Sequence, residues 1–185
     1  MGIRPARSIR DPDKVAWTRF SRRKPKKSFI KAMPHKDLHQ FRMGVNKPDY
    51  DLVIGLRSEK KIILRDNAIE SARQSSNKHL EKSVPGAYYF VVRVYPHHII
   101  RENKMIAGAG ADRLQKGMRR AFGRPTDCAA RVDKGKEIFT ISSYKANTAH
   151  METALIRAMR KLSGKYRIVR YPAPNATPSV AVATS

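Results

Sequence analysis

The sequence predicts an α+β fold built on a mostly antiparallel sheet. Three observations carry that expectation. Segments 66–82 and 148–162 repeat apolar residues at helical spacing. Several short runs alternate with period two, most clearly Tyr88 to Tyr95. A turn-rich stretch, Asp133-Lys134-Gly135-Lys136, separates two further strand-like runs. Helices and strands mixed with a hairpin point to α+β rather than to regular βαβ units.

The elements follow in order. Residues 1–49 hold five prolines and no sustained period, so they read as a basic, extended RNA-binding arm. Trp17, Phe20, Phe29, Phe41 and Met43 give that arm apolar groups that a plain spacer has no use for. The core is expected to start near Tyr50, with a strand over 51–57 that places Leu52, Ile54 and Leu56 on one face. A second short strand runs from Lys61 to Leu64. Asn67 with Glu70 reads as a capping box, opening a helix whose stripe is Ile69, Ala72, Ser76 and Leu80.

From Tyr88 to Tyr95, Phe90, Val92 and Val94 face one way and Tyr89, Val91 and Arg93 the other, until Pro96 stops the strand. Residues 97–125 read as one long functional loop. Cys128–Val132 and Glu137–Ser142 read as a hairpin. The second helix carries Met151, Ala154, Leu155, Ala158, Met159 and Leu162 on one stripe, with Gly164 placed to end it. Tyr166–Tyr171 is a final strand. The core domain thus spans 50–171, and 172–185 is an uncharged flexible tail.

Charge narrows the function. The 185 residues hold 39 Lys and Arg against 15 Asp and Glu, a formal net charge of +24. Such a field attracts polyanions, nucleic acid foremost. The excess is dispersed: 14 basic against 4 acidic residues in 1–50, 7 against 2 in 97–125, and 6 against 1 in 151–171. Several basic faces suit a protein surrounded by its anionic partner better than one with a single docking arm. Aromatics interleave with the cations, as in Trp17-Thr18-Arg19-Phe20-Ser21-Arg22-Arg23 and Arg119-Arg120-Ala121-Phe122, a mixture suited to structured RNA.

The single cysteine, Cys128, excludes a disulfide scaffold and a Cys-based zinc site, and reads as a small apolar strand residue. No apolar run approaches a membrane span, and the N-terminus lacks a hydrophobic signal core. Ala6 breaks the myristoylation pattern that Met1-Gly2 opens. A soluble protein of a reducing compartment is expected.

Gly108-Ala109-Gly110 begins like a dinucleotide fingerprint, but Arg113 occupies the third glycine position. Adjacent His97 and His98 lack metal-pair spacing. Glu102 and Asp112 are flanked by Arg101, Lys104 and Arg113, which favour ionised partners over a general acid. The candidate RNA contacts are therefore Arg4, Arg7, Arg19, Arg22, Arg23, Lys24, Lys26, Lys27, His97, His98, Arg101, Lys104, Arg113, Lys116, Arg119, Arg120 and Arg124. No catalytic residue, cofactor or metal is expected. Two other readings stay open: an RNA-modifying or RNA-cleaving enzyme using His97 and His98 with Asp112, and a duplex-DNA-binding regulator.

The run Ala111-Asp112-Arg113-Leu114-x-x-Gly117-Met118-Arg119-x-Ala121-Phe122-Gly123-x-Pro125 resembles the diagnostic motif of the large-subunit ribosomal protein family L-ten-e of archaea and eukaryotes, the counterpart of bacterial L-sixteen. Agreement continues in Gly2-x-Arg4-Pro5-Ala6-Arg7, Asn67-Ala68-x-Glu70-x-Ala72-Arg73, Arg93-Val94-Tyr95-Pro96-His97-His98, Arg101-Glu102-Asn103-Lys104-Met105 and Ala129-Ala130-Arg131-Val132-x-x-Gly135. Ser8-Ile9 depart from the family's usual Cys-Tyr, and Thr126-Asp127-Cys128 from a Gly-containing stretch. The resemblance implies a hammerhead-type α/β sandwich on large-subunit rRNA in the cytoplasmic ribosome. It also implies neighbouring large-subunit proteins as partners, a loop near tRNA acceptor ends and the peptidyl-transferase centre, and a role in late subunit assembly without catalysis.

Overall fold

The computed structural model describes residues 34–103, 109 and 123–172. It is α+β, as expected, with two antiparallel sheets and two helices. The strands are β1 (Arg42–Gly44), β2 (Leu52–Ser58), β3 (Ile62–Arg65), β4 (Tyr88–Val92), β5 (His98–Glu102), β6 (Arg124–Val132), β7 (Glu137–Ser143) and β8 (Tyr166–Pro172). The helices are α1 (Asp66–Ser83) and α2 (Thr148–Met159), the second entered through a 3-10 turn at Lys145–Asn147. A five-stranded sheet runs β1-β4-β7-β2-β8, and a three-stranded sheet runs β3-β6-β5.

Both helical stripes do what their spacing predicts. Ile69, Ala72, Ser76 and Leu80 of α1 are buried, as are Met151, Ala154, Leu155 and Ala158 of α2. The helices pack on one another; α1 also touches both sheets, while α2 lies against β2, β7 and β8. Ser76 Oγ donates to the Ala154 carbonyl at 3.0 Å, giving a buried hydroxyl its partner at the seam. Phe90 and Phe139, with ring centroids 5.3 Å apart, centre the apolar interior beneath α2. α2 ends at Met159 with Arg160 as its C-cap, earlier than the expected stop at Gly164, which adopts φ 107° in the turn that follows.

Residues 38–45, which the sequence reading assigns to the arm, contribute Leu38 and Met43 to the core. β1 pairs with β4, and Arg73 ties the segment to α1. Its guanidinium donates to Gln40 Oε1 at 3.2 Å and, through Nε, to Glu70 Oε2 at 2.8 Å.

Three sequence expectations are corrected. The capping box is absent: α1 begins at Asp66 with Arg65 as its N-cap, so Asn67 does not cap it. Asn67 then sits inside the first turn, and Glu70 turns to Arg73 and to Gln74. The Asp66 carboxylate instead accepts the Asn67 and Asp37 amides at 2.9 and 3.1 Å. Burial raises its pKa above the ordinary value against those two bonds.

The hairpin is likewise not formed. β6 pairs with β3 and β5, β7 pairs with β2 and β4, and the two belong to different sheets. The turn between them is a corner, pinned where the Gly135 amide donates to Ser58 O (2.7 Å) and the Ser58 amide to Lys136 O (3.0 Å).

Finally, 97–125 is not all loop. His98–Glu102 and Arg124 onward pair as antiparallel strands, so the connection narrows to 103–123. The strand expected over Tyr88–Tyr95 leaves its ladder after Val92, although Val94 stays buried and the Arg93 amide still donates to Ile138 O at 2.8 Å.

Candidate nucleic-acid interface

Two surfaces follow from this topology. The first is assembled by turns far apart in sequence. The β2–β3 turn brings Lys60 and Lys61, the β6–β7 corner brings Lys134 and Lys136, and the approach to β8 brings Lys165. Backbone bonds hold them together: Ser58 to Gly135 and Lys136, and the Glu59 amide to Lys165 O at 3.0 Å. All five lysines are exposed, against Glu59 and Asp133 as the acids in these turns. Exposed lysines carried on adjoining turns are the kind of arrangement that suits phosphate. The sequence reading missed it, since no local run displays it.

The second surface surrounds the root of the long connection. β5 and β6 bring its two ends together, with Arg101 paired to Pro125 and Glu102 to Arg124. Arg101 donates to the Gly123 carbonyl from Nε (3.1 Å) and Nη2 (2.6 Å). Its first role is therefore to close the root. Arg124 is exposed beside it.

His97 and His98 diverge, as adjacent residues on an extended chain must. His97 is exposed, its ring 4.7 Å from that of Tyr95. His98 begins β5 and is half-buried. Burial first, then the Arg131 charge and His97, lower its pKa to about 4, so it is neutral at pH 7 and offers RNA no charge.

Other cations are already engaged. The Arg65 side chain, 9% exposed, pairs with Asp127 at 3.2 Å. Arg57 pairs with Glu137 at 3.5 Å and lies 5.4 Å over the Tyr171 ring. On the α2 face of the sheet, Arg170 Nε donates to Glu152 Oε1 at 2.7 Å; Arg157, Arg160 and Lys161 are exposed around the end of α2, and Arg167 is exposed on β8 directly across from Arg57.

A comparison with protein families matches residues 17–169 to the model described as "Ribosomal protein L16p/L10e". The chain belongs to the ribosomal protein L16p/L10e family.

Relatives of this L16p/L10e protein extend the match almost end to end. A "Large ribosomal subunit protein uL16" of Staphylothermus marinus is 41% identical over 173 residues, 93% of this chain and 95% of the relative. The protein of that name in Methanococcus aeolicus is 39% identical over 170 residues, 91% and 94% of the two chains. That of Hyperthermus butylicus is 42% identical over 144 residues, 77% and 80%. The family resemblance drawn from the Ala111–Pro125 motif is thereby borne out.

Of the residues expected to contact RNA, this L16p/L10e structure brings Arg101 and Arg124 together at the loop root, with His98 opening the same strand as Arg101. His97 precedes it. Arg4, Arg7, Arg19, Arg22, Arg23, Lys24, Lys26, Lys27, Lys104, Arg113, Lys116, Arg119 and Arg120 lie outside the described residues, as do Asp112 and 173–185. Among the described residues no helix is long and apolar enough to cross a membrane.

Proposed function

We propose that this chain is a structural protein of the large ribosomal subunit that binds large-subunit rRNA and neighbouring large-subunit proteins. The observation that carries the reading is the family match across residues 17–169. The +24 charge and the exposed lysine cluster supply its physical basis, since many phosphates need neutralising where RNA surrounds a protein. The protein acts by binding and is not an enzyme.

In the finer reading, the arm expected over 1–49 runs among rRNA helices up to the point where Leu38 and β1 join the core. The 50–171 core holds the long loop, and the loop reaches toward tRNA acceptor ends. Arg113, Arg119, Arg120 and Arg124 make phosphate or base contacts there, with Lys104 and Lys116 beside them. The likeness of Ala111–Pro125 to the family motif supports this reading.

Sucrose-gradient sedimentation of cell lysate, probed for this chain before and after a high-salt wash, tests it. Co-migration with the large subunit at one copy per particle is expected. Recovery only at the top of the gradient would overturn the assignment.

A further inference from the structure

We propose that Arg93, Tyr95 and His97, backed by Phe41 and Lys36, form a stacking site for an unpaired base of RNA. The proposal rests on the ribosomal reading, which supplies RNA as the partner, and adds a place and a mode of contact. Between β4 and β5 the chain runs extended outside the ladder, so its side chains alternate. Val94 and Pro96 are buried, while Arg93, Tyr95 and His97 are exposed along one side.

Tyr95 is 42% exposed, one of three large apolar side chains standing out from the surface among the described residues. It is nevertheless held in place. Phe41 stacks near-parallel to it, with centroids 5.4 Å apart and an interplanar angle of 20°. Lys36 Nζ donates to the Tyr95 hydroxyl at 2.5 Å and lies 4.6 Å from the ring centroid. The His97 ring stands 4.7 Å away, tilted by 48°.

At the other end of the row, Arg93 Nε is fixed by donating to Thr140 Oγ1 at 3.0 Å. The result is a braced aromatic row with a guanidinium at one end and the Lys36 ammonium at its middle ring. That combination suits a nucleotide whose base stacks while its phosphate is neutralised. A duplex hides its base faces, so the occupant is unpaired: a bulge, a loop or a strand end. The row leads into the start of β5, whose far end is the loop root, so a base held there would fix RNA one strand's length from the connection.

The test uses the full-length chain and two RNA stems of equal length, one with a bulged adenine and one fully paired. Binding is followed by fluorescence anisotropy over a range of salt. The native chain should favour the bulged stem. Tyr95→Leu, which still covers Phe41 but offers no aromatic face, should lose about 5- to 100-fold on the bulged stem and little on the paired one. Its salt slope should not change, because stacking releases no counterions. Tyr95→Phe should retain the preference.

His97→Ala leaves the Tyr95–Phe41 pair untouched and should show a smaller loss of the same kind. It decides the matter if Tyr95→Leu lacks a thermal unfolding transition. Equal binding of both stems by the native chain, an undiminished preference in Tyr95→Leu, or, where that variant does not fold, an undiminished preference in His97→Ala would overturn the stacking site and leave the ribosomal reading standing. Binding to neither stem, together with absence from the large subunit in gradients, would overturn both.

Discussion

Arg101 and Gly123 hold the two ends of the long connection against each other across 22 residues of chain, through two hydrogen bonds from one guanidinium to one carbonyl. The approach is close because residue 123 is glycine. Its φ is 71°, and a Cβ there would fall 2.4 Å from the carbonyl carbon of Glu102. Gly123→Ala should therefore destabilise the root by more than about 2 kcal/mol, the left-handed penalty plus the clash. Arg101→Ala should cost about 1–3 kcal/mol, and Arg101→Lys should restore only part, having no fork to offer. Hydrogen exchange at the Ile99 and Ile100 amides reads both. Native protection factors in these variants would mean that the latch holds nothing.

Leu155 is fully buried between α2 and the large sheet. Leu155→Ala should cost about 2–5 kcal/mol in urea unfolding, with an unchanged m-value. A loss below about 1 kcal/mol would show that this interior collapses around the deletion more readily than a close-packed core does.

His98 makes stability depend on pH. Its folded pKa, about 4, lies below the ordinary histidine value of 6.5. Above about 6.5 the ring is neutral in both states and its contribution is complete. As pH falls toward 4, the unfolded chain takes up a proton that the folded chain refuses, and stability drops. With half-burial and solvent screening the loss should be about 1–2 kcal/mol. His79, also lowered by burial and by Arg157 and His150, adds in the same direction, so the comparison needed is native against His98→Gln. The loss between pH 7 and pH 4 should be smaller in the variant; an identical loss would rule His98 out as a source.

Engagement of about eight phosphates would give a slope of log K against log salt near −6 to −7 for large-subunit rRNA fragments. Replacing both Lys134 and Lys136 with Ala should reduce that slope by about 2 and leave the thermal transition in place. The turn is held by backbone bonds to Ser58, not by its lysine side chains. A native slope flatter than about −2 would contradict broad phosphate neutralisation.

Much of the fold was legible because burial follows periodicity. The stripe from Met151 to Ala158 and the alternation from Tyr88 to Val92 survive in the structure, while Leu162 is buried beyond the end of the helix. What escaped was decided by distant partners. Val132 and Ile138 flank a turn that looks like a hairpin, yet each strand finds better neighbours in a different sheet. His98–Glu102 lacks alternation, because Ile99 and Ile100 are both buried although successive strand residues point to opposite faces. Asn67 and Glu70 carry the letters of a capping box, but Asp66, one residue earlier, claims the helix start. The basic clusters were visible only where they are contiguous. Lys60, Lys134 and Lys165 are far apart in sequence and become one surface only after folding.

β6 joins the loop root at Arg124 to the lysine corner after Val132 in nine residues. An antiparallel strand of that length spans about 30 Å. β5 pairs with its first part, Arg124 to Ala129, and β3 with its last, Ala129 to Val132, so ladder bonds run along its whole length and tie both ends to one sheet. Two RNA elements seated at its ends would therefore be kept at a set spacing, with the protein serving as a strut between them. Assembly would then proceed as gauging: RNA whose elements had not yet reached that separation could engage one end of the strut but not both.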